Sequence, residues 1–438
     1  MATCRRARLS VVVETDSSMV DVRDSLLGYR SFGIVTPAMA RPGLREGIFL
    51  LNGQPVFLRG ADVSPSLNAF WYWRQQDKLL DAVLMAKAAN FNAIRACTTL
   101  ARACYNNPGV VLLSVASETH FDPRGIVEAV RAVDPERILI PISGNMKDWG
   151  TAYDQPPGYS LPPECWNNVI DDFHCYYGWY SAKAQIWKFS RRRQPARLVT
   201  VGEFGAEALD AYTTMAQHYP PHFQPTPPST ADALWGHVQV QKADPRQIIG
   251  FRGQRPINLG QYIEASQSYQ ADVLAELATG FRLSPRYIGG YFQFHFIDAL
   301  PAHWPKSVVS HDFRPKKGYF EMAQVNQPVA PLFQIVGQGK ALEIWLANDL
   351  PNALADCRMT WTIKAEGKTL VQGEKRADAP PLDAALIETI NLSDTVQDVP
   401  VVTISLALAD AKSKLLSRYQ REVFLNAWRL QDALFPKR

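Results

Sequence analysis

Short apolar runs alternate with amphipathic stretches between about residues 44 and 325. Seven apolar runs predict strands: QPVFLRGADV, NAIRACTT, VVLLSVASETH, RILIPIS, NNVIDDFHCYY, ARLVTVGEFG and YIGGYFQFHFID. Stretches between them, such as DKLLDAVLMAKAANF and DPRGIVEAVRAVDP, have the spacing of helices. Strands that are apolar almost throughout are typical of a parallel sheet covered by helices. The pattern therefore predicts an α/β fold, a (β/α)8 TIM-type barrel, over residues 44–325.

The pattern changes to a period of two after residue 326. The segments KALEIWLAND, CRMTWTIKAEGKTLVQG, ALIETINL and VVTISLALAD alternate apolar and polar positions, and EGK and NDLPN supply turns. Such alternation is typical of antiparallel strands with one buried face. Residues 326–438 are therefore predicted to form a small all-β sandwich of the immunoglobulin-like kind.

The predicted barrel is one unit short. The segment between NAIRACTT and VVLLSVASET is occupied by the short stretch LARACYNN. A complete βα repeat needs ~30 residues or more. The second helix and the third strand are therefore expected to be missing, which makes the barrel incomplete.

Composition excludes several classes of protein. The chain has 438 residues, with 46 basic and 42 acidic side chains, and this balance gives no reason to expect a nucleic-acid partner. No apolar stretch approaches the ~18 residues of a membrane span, so no membrane association is predicted. The apolar core LSVVV near the start is too short for an export signal, which favours a cytoplasmic location. The six cysteines have the spacing of neither a zinc site nor a disulfide framework.

Carboxylates stand where the predicted strands end. Glu118 and Glu203 follow separate strands, and the chemistry of a barrel lies at the C-terminal ends of its strands. Hydrolysis of a glycoside needs one carboxylic acid that protonates the leaving oxygen and one carboxylate that attacks the sugar. Several tryptophans near strand ends, Trp179 among them, offer flat surfaces for sugar rings. A solvated strand end is the alternative for each carboxylate.

Several motifs resemble family 2 glycoside hydrolases, the group of β-galactosidases, β-glucuronidases and β-mannosidases. They are GYRSFGI, FLLNGQPVFLRGADV, NAIRAC, NNPGVVLLSVASET, DFHCYYGWY, EFGAEALD and FHFIDALPAHWPKSVVSHDFRPKKGYF, and they follow the order of the family. The resemblance implies a retaining exo-β-glycosidase, most similar to a β-galactosidase, that acts on a carbohydrate substrate. It also implies that residues 1–43 are the remnant of a preceding β-sandwich with its linker. Homo-oligomers are compatible with the resemblance.

The resemblance also implies roles for three residues. Glu203 matches the nucleophile at the end of the seventh strand, and Glu118 matches the general acid/base at the end of the fourth. Arg95 matches an arginine that hydrogen-bonds the nucleophile and keeps it ionised, with a structural salt bridge as the alternative. These matches identify the two carboxylates as the catalytic pair.

Further positions match substrate contacts less specifically. Tyr176 or Tyr180 stands in the place of tyrosines that contact the sugar and the nucleophile, with core packing as an equal alternative. His174 is either a buried structural histidine or a ligand contact. Trp179 and His295 complete the set of predicted substrate-binding residues.

The sequence also departs from the family. Ser117 replaces the asparagine that precedes the acid/base and binds the 2-hydroxyl of the sugar. The first strand ends in Asp62 without the usual histidine, and Phe294 replaces a tryptophan. The alternatives are therefore β-glucuronidase or β-mannosidase specificity, or a catalytically impaired carbohydrate-binding relative. β-Galactosidases of the best-known type use Mg²⁺ and Na⁺, but no ligands for these ions can be identified, so neither a cofactor nor a metal site is predicted.

Overall fold

The structure is a computed structural model. It describes residues 5–15, 18–41, 44–45, 47–63, 75–95, 111–118, 123–144, 170–176, 199–229, 258–284, 288–301, 306–337, 339–393, 396 and 399–425.

Antiparallel strands lead into the central sheet. A hairpin of β1 (Arg5–Thr15) and β2 (Ser18–Tyr29) comes first. A second small sheet follows, made of β3 (Phe32–Ile34), β4 (Phe49–Leu51) and β5 (Gln54–Val56). Asn52 and Gly53 join β4 to β5 with positive φ angles of 53° and 74°. An Asn-Gly pair accepts both angles, which is why this dipeptide makes a tight hairpin turn.

Parallel strands form a five-stranded sheet and a two-stranded sheet, together termed the central sheet. Its strands are β6 (Leu58–Asp62), β7 (Ala93–Arg95), β8 (Leu112–Ser117), β9 (Ile138–Ser143), β10 (Asp171–Cys175), β11 (Val199–Phe204) and β12 (Ile288–Phe294). Five of them pair in the order β10-β11-β12-β6-β7, and β8 pairs with β9. One backbone hydrogen bond, from Ile170 to Leu139, links β10 to β9. Within the described residues no ladder joins β7 to β8, where the sequence predicts a missing strand, so the described strands do not form a closed barrel.

Helices cover this sheet. They are α1 (Gln76–Ala88), α2 (Arg124–Val133), α3 (Tyr212–His218), α4 (Leu259–Arg282) and α5 (Lys317–Val325), with short 3-10 turns at Pro37–Met39 and Pro221–Phe223. Asn258 caps α4, because its side-chain oxygen accepts a hydrogen bond from the Gln261 backbone. Phe281 of α4 packs edge-on against Phe204 of β11, which anchors the end of that strand in the core. No described helix is both long and apolar enough to cross a membrane.

Two antiparallel sheets follow α5. Their strands are β13 (Val329–Val336), β14 (Ala341–Asn348), β15 (Leu354–Ala365), β16 (Lys368–Ala379), β17 (Asp383–Asn391), β18 (Val401–Ala409) and β19 (Leu415–Phe424). The sheet orders are β13-β14-β17 and β16-β15-β18-β19. Phe333 and Tyr419 stack across the two sheets with ring centroids 5.4 Å apart. The predicted period-two strands are thus observed, whereas the domain limits at residues 43 and 325 stay a prediction.

A buried polar cluster joins the helices to the second of these sheets. Glu321 of α5 accepts a hydrogen bond from the Tyr419 hydroxyl at 2.7 Å, and Arg421 forms an ion pair with Glu276 of α4. Burial raises the pKa of Glu321 to about 7, and the nearby acids Asp272 and Glu276 raise it as well, against the charge of Arg421 and the Tyr419 hydrogen bond. The junction therefore holds a carboxyl group that titrates near neutral pH.

Candidate active site

The ends of adjacent parallel strands bring the predicted residues together. In the sheet, Asp62 pairs with Arg95 across β6 and β7, and His174 pairs with Glu203 across β10 and β11. The carboxyl ends of parallel strands lie at one edge of a sheet, so side chains from these four strands converge there.

Glu203 is held by two hydrogen bonds. Arg95 Nη1 donates to its Oε1 at 2.5 Å, and the Tyr176 hydroxyl donates to its Oε2 at 2.5 Å. Burial alone would raise the pKa of Glu203, but the charges of His174 and Arg95, together with these hydrogen bonds, bring its pKa below the ordinary value. Glu203 is therefore an ionised carboxylate in a nearly dry position.

Arg95 bridges two carboxylates. The same Nη1 atom that contacts Glu203 also donates to Asp62 Oδ2 at 2.5 Å. Burial lowers the pKa of Arg95, but the two carboxylates outweigh this effect, and the net pKa is raised. Asp62, which is fully buried, thus orients the guanidinium that faces Glu203. The second terminal nitrogen lies 3.4 Å from the hydroxyl oxygens of Ser117 and Ser143.

Glu118 follows β8 in a constrained backbone conformation. Its φ is 49°, in the left-handed region that side chains other than glycine rarely adopt, and its backbone N–H donates to the Ser143 carbonyl at 2.9 Å. The side chain is partly exposed, at 28%. One of its carboxylate oxygens lies within 4.8 Å of an oxygen of Glu203. Backbone strain of this kind is frequent at functional sites.

His174 lies between the two carboxylates. Its Nδ1 is 2.5 Å from Glu118 Oε1 and 3.4 Å from Glu203 Oε2. Burial lowers the pKa of His174, but Glu203, Glu118 and Asp172 raise it more strongly, and the net pKa is above the ordinary value. The imidazole therefore carries a proton readily where the two acids meet.

Tyr176 and Lys306 complete the described lining. The Lys306 ammonium lies 3.7 Å from the centre of the Tyr176 ring and 5.6 Å from that of Phe294. Burial lowers the pKa of Lys306, while the carboxylates of Glu207, Glu203 and Glu118 act in the opposite direction. A cation thus lies beside the tyrosine that hydrogen-bonds Glu203.

Five of the predicted site residues contact one another, and Ser117 lies at the margin of the group. Arg95, Glu118, His174, Tyr176 and Glu203 form one contiguous hydrogen-bonded group. Ser117 is exposed and contacts this group only at the 3.4 Å distance from Arg95.

Three other predicted residues are placed differently or not described. His295 is completely buried, with Nε2 at 3.0 Å from Asp298 Oδ1, and so offers no surface to a ligand in this conformation. Trp179 and Tyr180 lie outside the described residues.

Ser143 is a member of the site that sequence reasoning missed. It ends β9, is fully buried, and lies 2.8 Å from His174 Nε2 and 2.5 Å from Asp172 Oδ1. Its position in the sequence carried a signal, because it ends the strand RILIPIS immediately before Gly144, at the same edge as the other candidates. A serine is too common at strand ends for that signal to be selective.

One group of donors has the proximity of a metal site. Oxygen and nitrogen atoms of Glu118, His174 and Glu203 all lie within 4.8 Å of one another. Each of these atoms already has a polar partner within the group, and the Arg95 guanidinium on Glu203 opposes a further cation. We therefore assign these residues no role as metal ligands.

The arrangement suits a two-step displacement on an acetal carbon. A buried ionised carboxylate is a competent nucleophile, and a second, partly exposed carboxyl group beside it can exchange a proton with an incoming leaving group. In retaining glycosidases the two carboxyl groups are ~5–5.5 Å apart, whereas inverting enzymes separate them further to admit water. An oxygen of Glu118 lies within 4.8 Å of an oxygen of Glu203, so the two carboxyl groups are close neighbours.

Comparisons with solved structures give the same fold. The exo-chitosanase CsxA of Amycolatopsis orientalis aligns with a TM-score of 0.64 and 12% identity, over 96% of this chain and 54% of that one. A β-D-mannosidase from Dictyoglomus thermophilum aligns with a TM-score of 0.61 and 16% identity, over 95% of this chain and 56% of that one. The chain therefore spans about half the length of these proteins. No protein-family model and no curated protein matches the sequence.

Proposed function

We propose that this protein is a retaining exo-β-glycosidase that hydrolyses terminal β-linked sugars through a covalent glycosyl-enzyme intermediate. The observation that carries the proposal is the pair of carboxyl groups at the sheet edge. Glu203 is ionised and held by Arg95 and Tyr176, and Glu118 stands within 4.8 Å of it. The fold shared with an exo-chitosanase and a β-mannosidase supports the same class of reaction.

In the proposed mechanism Glu203 attacks the anomeric carbon while Glu118 protonates the glycosidic oxygen. The bond from the sugar to the leaving group breaks, and an ester forms between the sugar and Glu203. Glu118 then removes a proton from water, which attacks the same carbon and releases Glu203. The Arg95 guanidinium and the Tyr176 hydroxyl keep Glu203 ionised before attack and accommodate its neutral ester afterwards. Neither step needs a cofactor.

The same comparison supports a proposal about the parallel strands. We propose that the parallel strands β6 to β12 belong to a (β/α)8 barrel that lacks one βα unit, with the gap between β7 and β8. A sheet with two free edges exposes unpaired backbone groups, so another segment of the protein is expected to cover them.

For specificity, the first candidate is a β-galactoside. A β-glucuronide is the second candidate, and the observation that favours it is the buried ammonium of Lys306 above Tyr176, since a cation there can pair with the carboxylate of a uronic acid. A β-mannoside is the third candidate, and the structural likeness to a β-mannosidase supports it. Ser117 is shorter than the asparagine of the family and is expected to weaken the contact with the 2-hydroxyl of any of these sugars.

The test is a panel of aryl β-glycosides on the purified protein, containing galactoside, glucuronide, mannoside and glucosaminide. Glu203→Gln keeps the shape of the side chain and removes the nucleophile, so turnover of the best substrate is expected to fall by about 10⁴-fold or more. Thermal unfolding of the variant serves as the check that it is folded. Glycan binding without turnover of any member would instead identify a catalytically impaired carbohydrate-binding relative.

A further inference from the structure

Two buried polar side chains lie behind His174. Ser143 Oγ is 2.8 Å from His174 Nε2, on the side of the ring that faces away from the carboxylates of Glu118 and Glu203. The same hydroxyl donates to Asp172 Oδ1 at 2.5 Å. Ser143 and Asp172 are fully buried, and the Ser143 carbonyl accepts a hydrogen bond from the Glu118 backbone N–H at 2.9 Å.

The donors around Asp172 determine the direction of these hydrogen bonds. Its Oδ1 accepts from the Gly144 backbone N–H at 3.1 Å, and its Oδ2 accepts from the Thr200 hydroxyl at 2.6 Å. With the Ser143 hydroxyl, three donors point at one carboxyl group, so Asp172 acts as the acceptor. The Ser143 proton is then committed to Asp172, so the Ser143 hydroxyl oxygen acts as an acceptor toward His174 Nε2 at 2.8 Å, and toward Arg95 Nη2 at 3.4 Å.

This direction fixes the tautomer of the imidazole. Since Ser143 accepts, Nε2 of His174 carries a proton, and Nδ1 is the nitrogen that faces the acids. At 2.5 Å, the contact between Nδ1 and Glu118 Oε1 holds a single proton between them. The opposite tautomer would carry its proton on Nδ1 and would leave Nε2 without a proton beside a hydroxyl that already donates to Asp172.

Two glycines leave the space that His174 and Asp172 occupy. Gly144 has a φ of 81°, and a Cβ atom there would lie 2.7 Å from His174 Nδ1. A Cβ atom on Gly202 would lie 2.1 Å from Asp172 Oδ1. Both glycines therefore leave just enough space for this arrangement of side chains.

We propose that Ser143 and Asp172 are positioning residues that hold His174 as its Nε2–H form, so that Glu118 and His174 Nδ1 together store the proton given to the leaving group. The proposal rests on the glycosidase function proposed above. The proton passes from the Glu118 carboxyl to the glycosidic oxygen as the bond to the sugar breaks, and water returns a proton to Glu118 in the second step. No proton leaves along Ser143 and Asp172, which act only through the orientation and charge of the imidazole.

The groups that face His174 come from every strand around it. Glu118 follows β8, Asp172 lies on β10, Glu203 lies on β11, Arg95 lies on β7, and the Tyr176 ring packs edge-on against the imidazole. The three acids raise the pKa of His174 and Arg95 lowers it. Removal of the Ser143 hydroxyl takes away the acceptor that holds the Nε2 proton, while the charge of Asp172 stays 3.8 Å from Nε2.

The first test is the pH profile of kcat/KM for Ser143→Ala, measured with two aryl glycosides. A poor leaving group such as p-methoxyphenol needs the stored proton. With this substrate the basic limb of the kcat/KM profile should therefore move to lower pH by about one pH unit. The leaving group of the 2,4-dinitrophenyl glycoside needs no protonation, so the basic limb of the profile measured with this substrate should stay where it is. Thr200→Val is the matched control, because it removes another hydrogen bond of Asp172 without interrupting the link to His174. An unchanged limb in Ser143→Ala, or equal losses for both substrates, would overturn the proposal.

The second test does not depend on activity. The ¹⁵N shifts of the imidazole, assigned with His174→Gln, report which nitrogen is protonated and at which pH it titrates. In the native protein Nε2 should carry the proton. In Ser143→Ala the pH at which His174 titrates should be lower by about one pH unit. Asp172→Asn provides the same comparison if Ser143→Ala does not fold. A native Nδ1–H form would refute the proposal, whereas the expected shifts in a protein without glycosidase activity would refute only the proposed function.

Discussion

The carboxyl group of Glu321 should make the stability of this protein fall as pH rises through neutrality. Burial, with the nearby acids Asp272 and Glu276, raises the pKa of Glu321 from 4.5 to about 7 in the folded chain. The folded state therefore binds this proton more tightly than the unfolded state does. The resulting stabilisation is complete below pH 4.5 and is lost as the pH rises through about 7.

The magnitude follows from the size of the pKa difference. At about 1.4 kcal/mol per pKa unit, the rise from 4.5 to about 7 corresponds to about 3 kcal/mol. Most of this stabilisation is lost within a pH range in which unfolding can be measured. The free energy of unfolding should fall by about 2 kcal/mol between about pH 5.5 and about pH 8.5. Burial accounts for the direction, since it outweighs the charge of Arg421, which lowers the pKa of Glu321 and is itself paired with Glu276.

The assay is urea unfolding of the complete chain at those two pH values, with the wild-type protein compared with Glu321→Gln. Glutamine keeps the acceptor for Tyr419 and cannot ionise, so the variant should lose about 2 kcal/mol less between the two pH values than the wild type. Glu128→Gln on the exposed face of α2 is the matched control and should follow the wild type. Parallel pH dependences of wild type and Glu321→Gln would refute the assignment of a neutral carboxyl group to this junction.

Two further outcomes are expected. Glu118→Ala should retain the first step with an activated aryl glycoside, accumulate the ester on Glu203, and regain turnover with azide as a β-glycosyl azide; absence of rescue, or an α-configured product, would contradict the retaining mechanism. Gly205→Ala should destabilise the fold by about 1–3 kcal/mol in thermal unfolding, because its Cβ would lie 2.2 Å from the Phe294 carbonyl oxygen. Gly125→Ala, whose Cβ would meet nothing within 4 Å, should leave the stability unchanged or slightly raised, and equal losses in the two variants would refute the steric argument.

Hydrophobic periodicity was enough to predict most of the strands but not every helix. The strands that end at Ser117, Ser143 and Phe204 were each predicted from an apolar run, because strands buried on both faces need no polar alternation. Helix α4 was not assigned from the sequence. Eighteen of its residues are buried, including polar ones such as Gln270 and Asp272, so the polar face that normally marks a surface helix is weak.

The sequence by itself determined which side chains stand at the carboxyl ends of the strands. Glu118, Glu203 and Arg95 were found in this way, since parallel strands present those ends at a common edge. Their roles as a catalytic pair and its arginine remain proposals that the variants above test. The position of His174 was also predicted, although the choice between a structural histidine and a ligand contact stayed open.

Only the tertiary structure decided what these side chains do to one another. It placed His174 between the two acids, joined it through Ser143 to Asp172, and put Arg95 on both Asp62 and Glu203. It likewise created the buried carboxyl of Glu321 from three separate elements. The physical reason is that a strand pattern specifies the direction in which a side chain points, while hydrogen bonds and pKa values depend on distances of a few ångströms between strands far apart in the chain, and on how completely water is excluded from them.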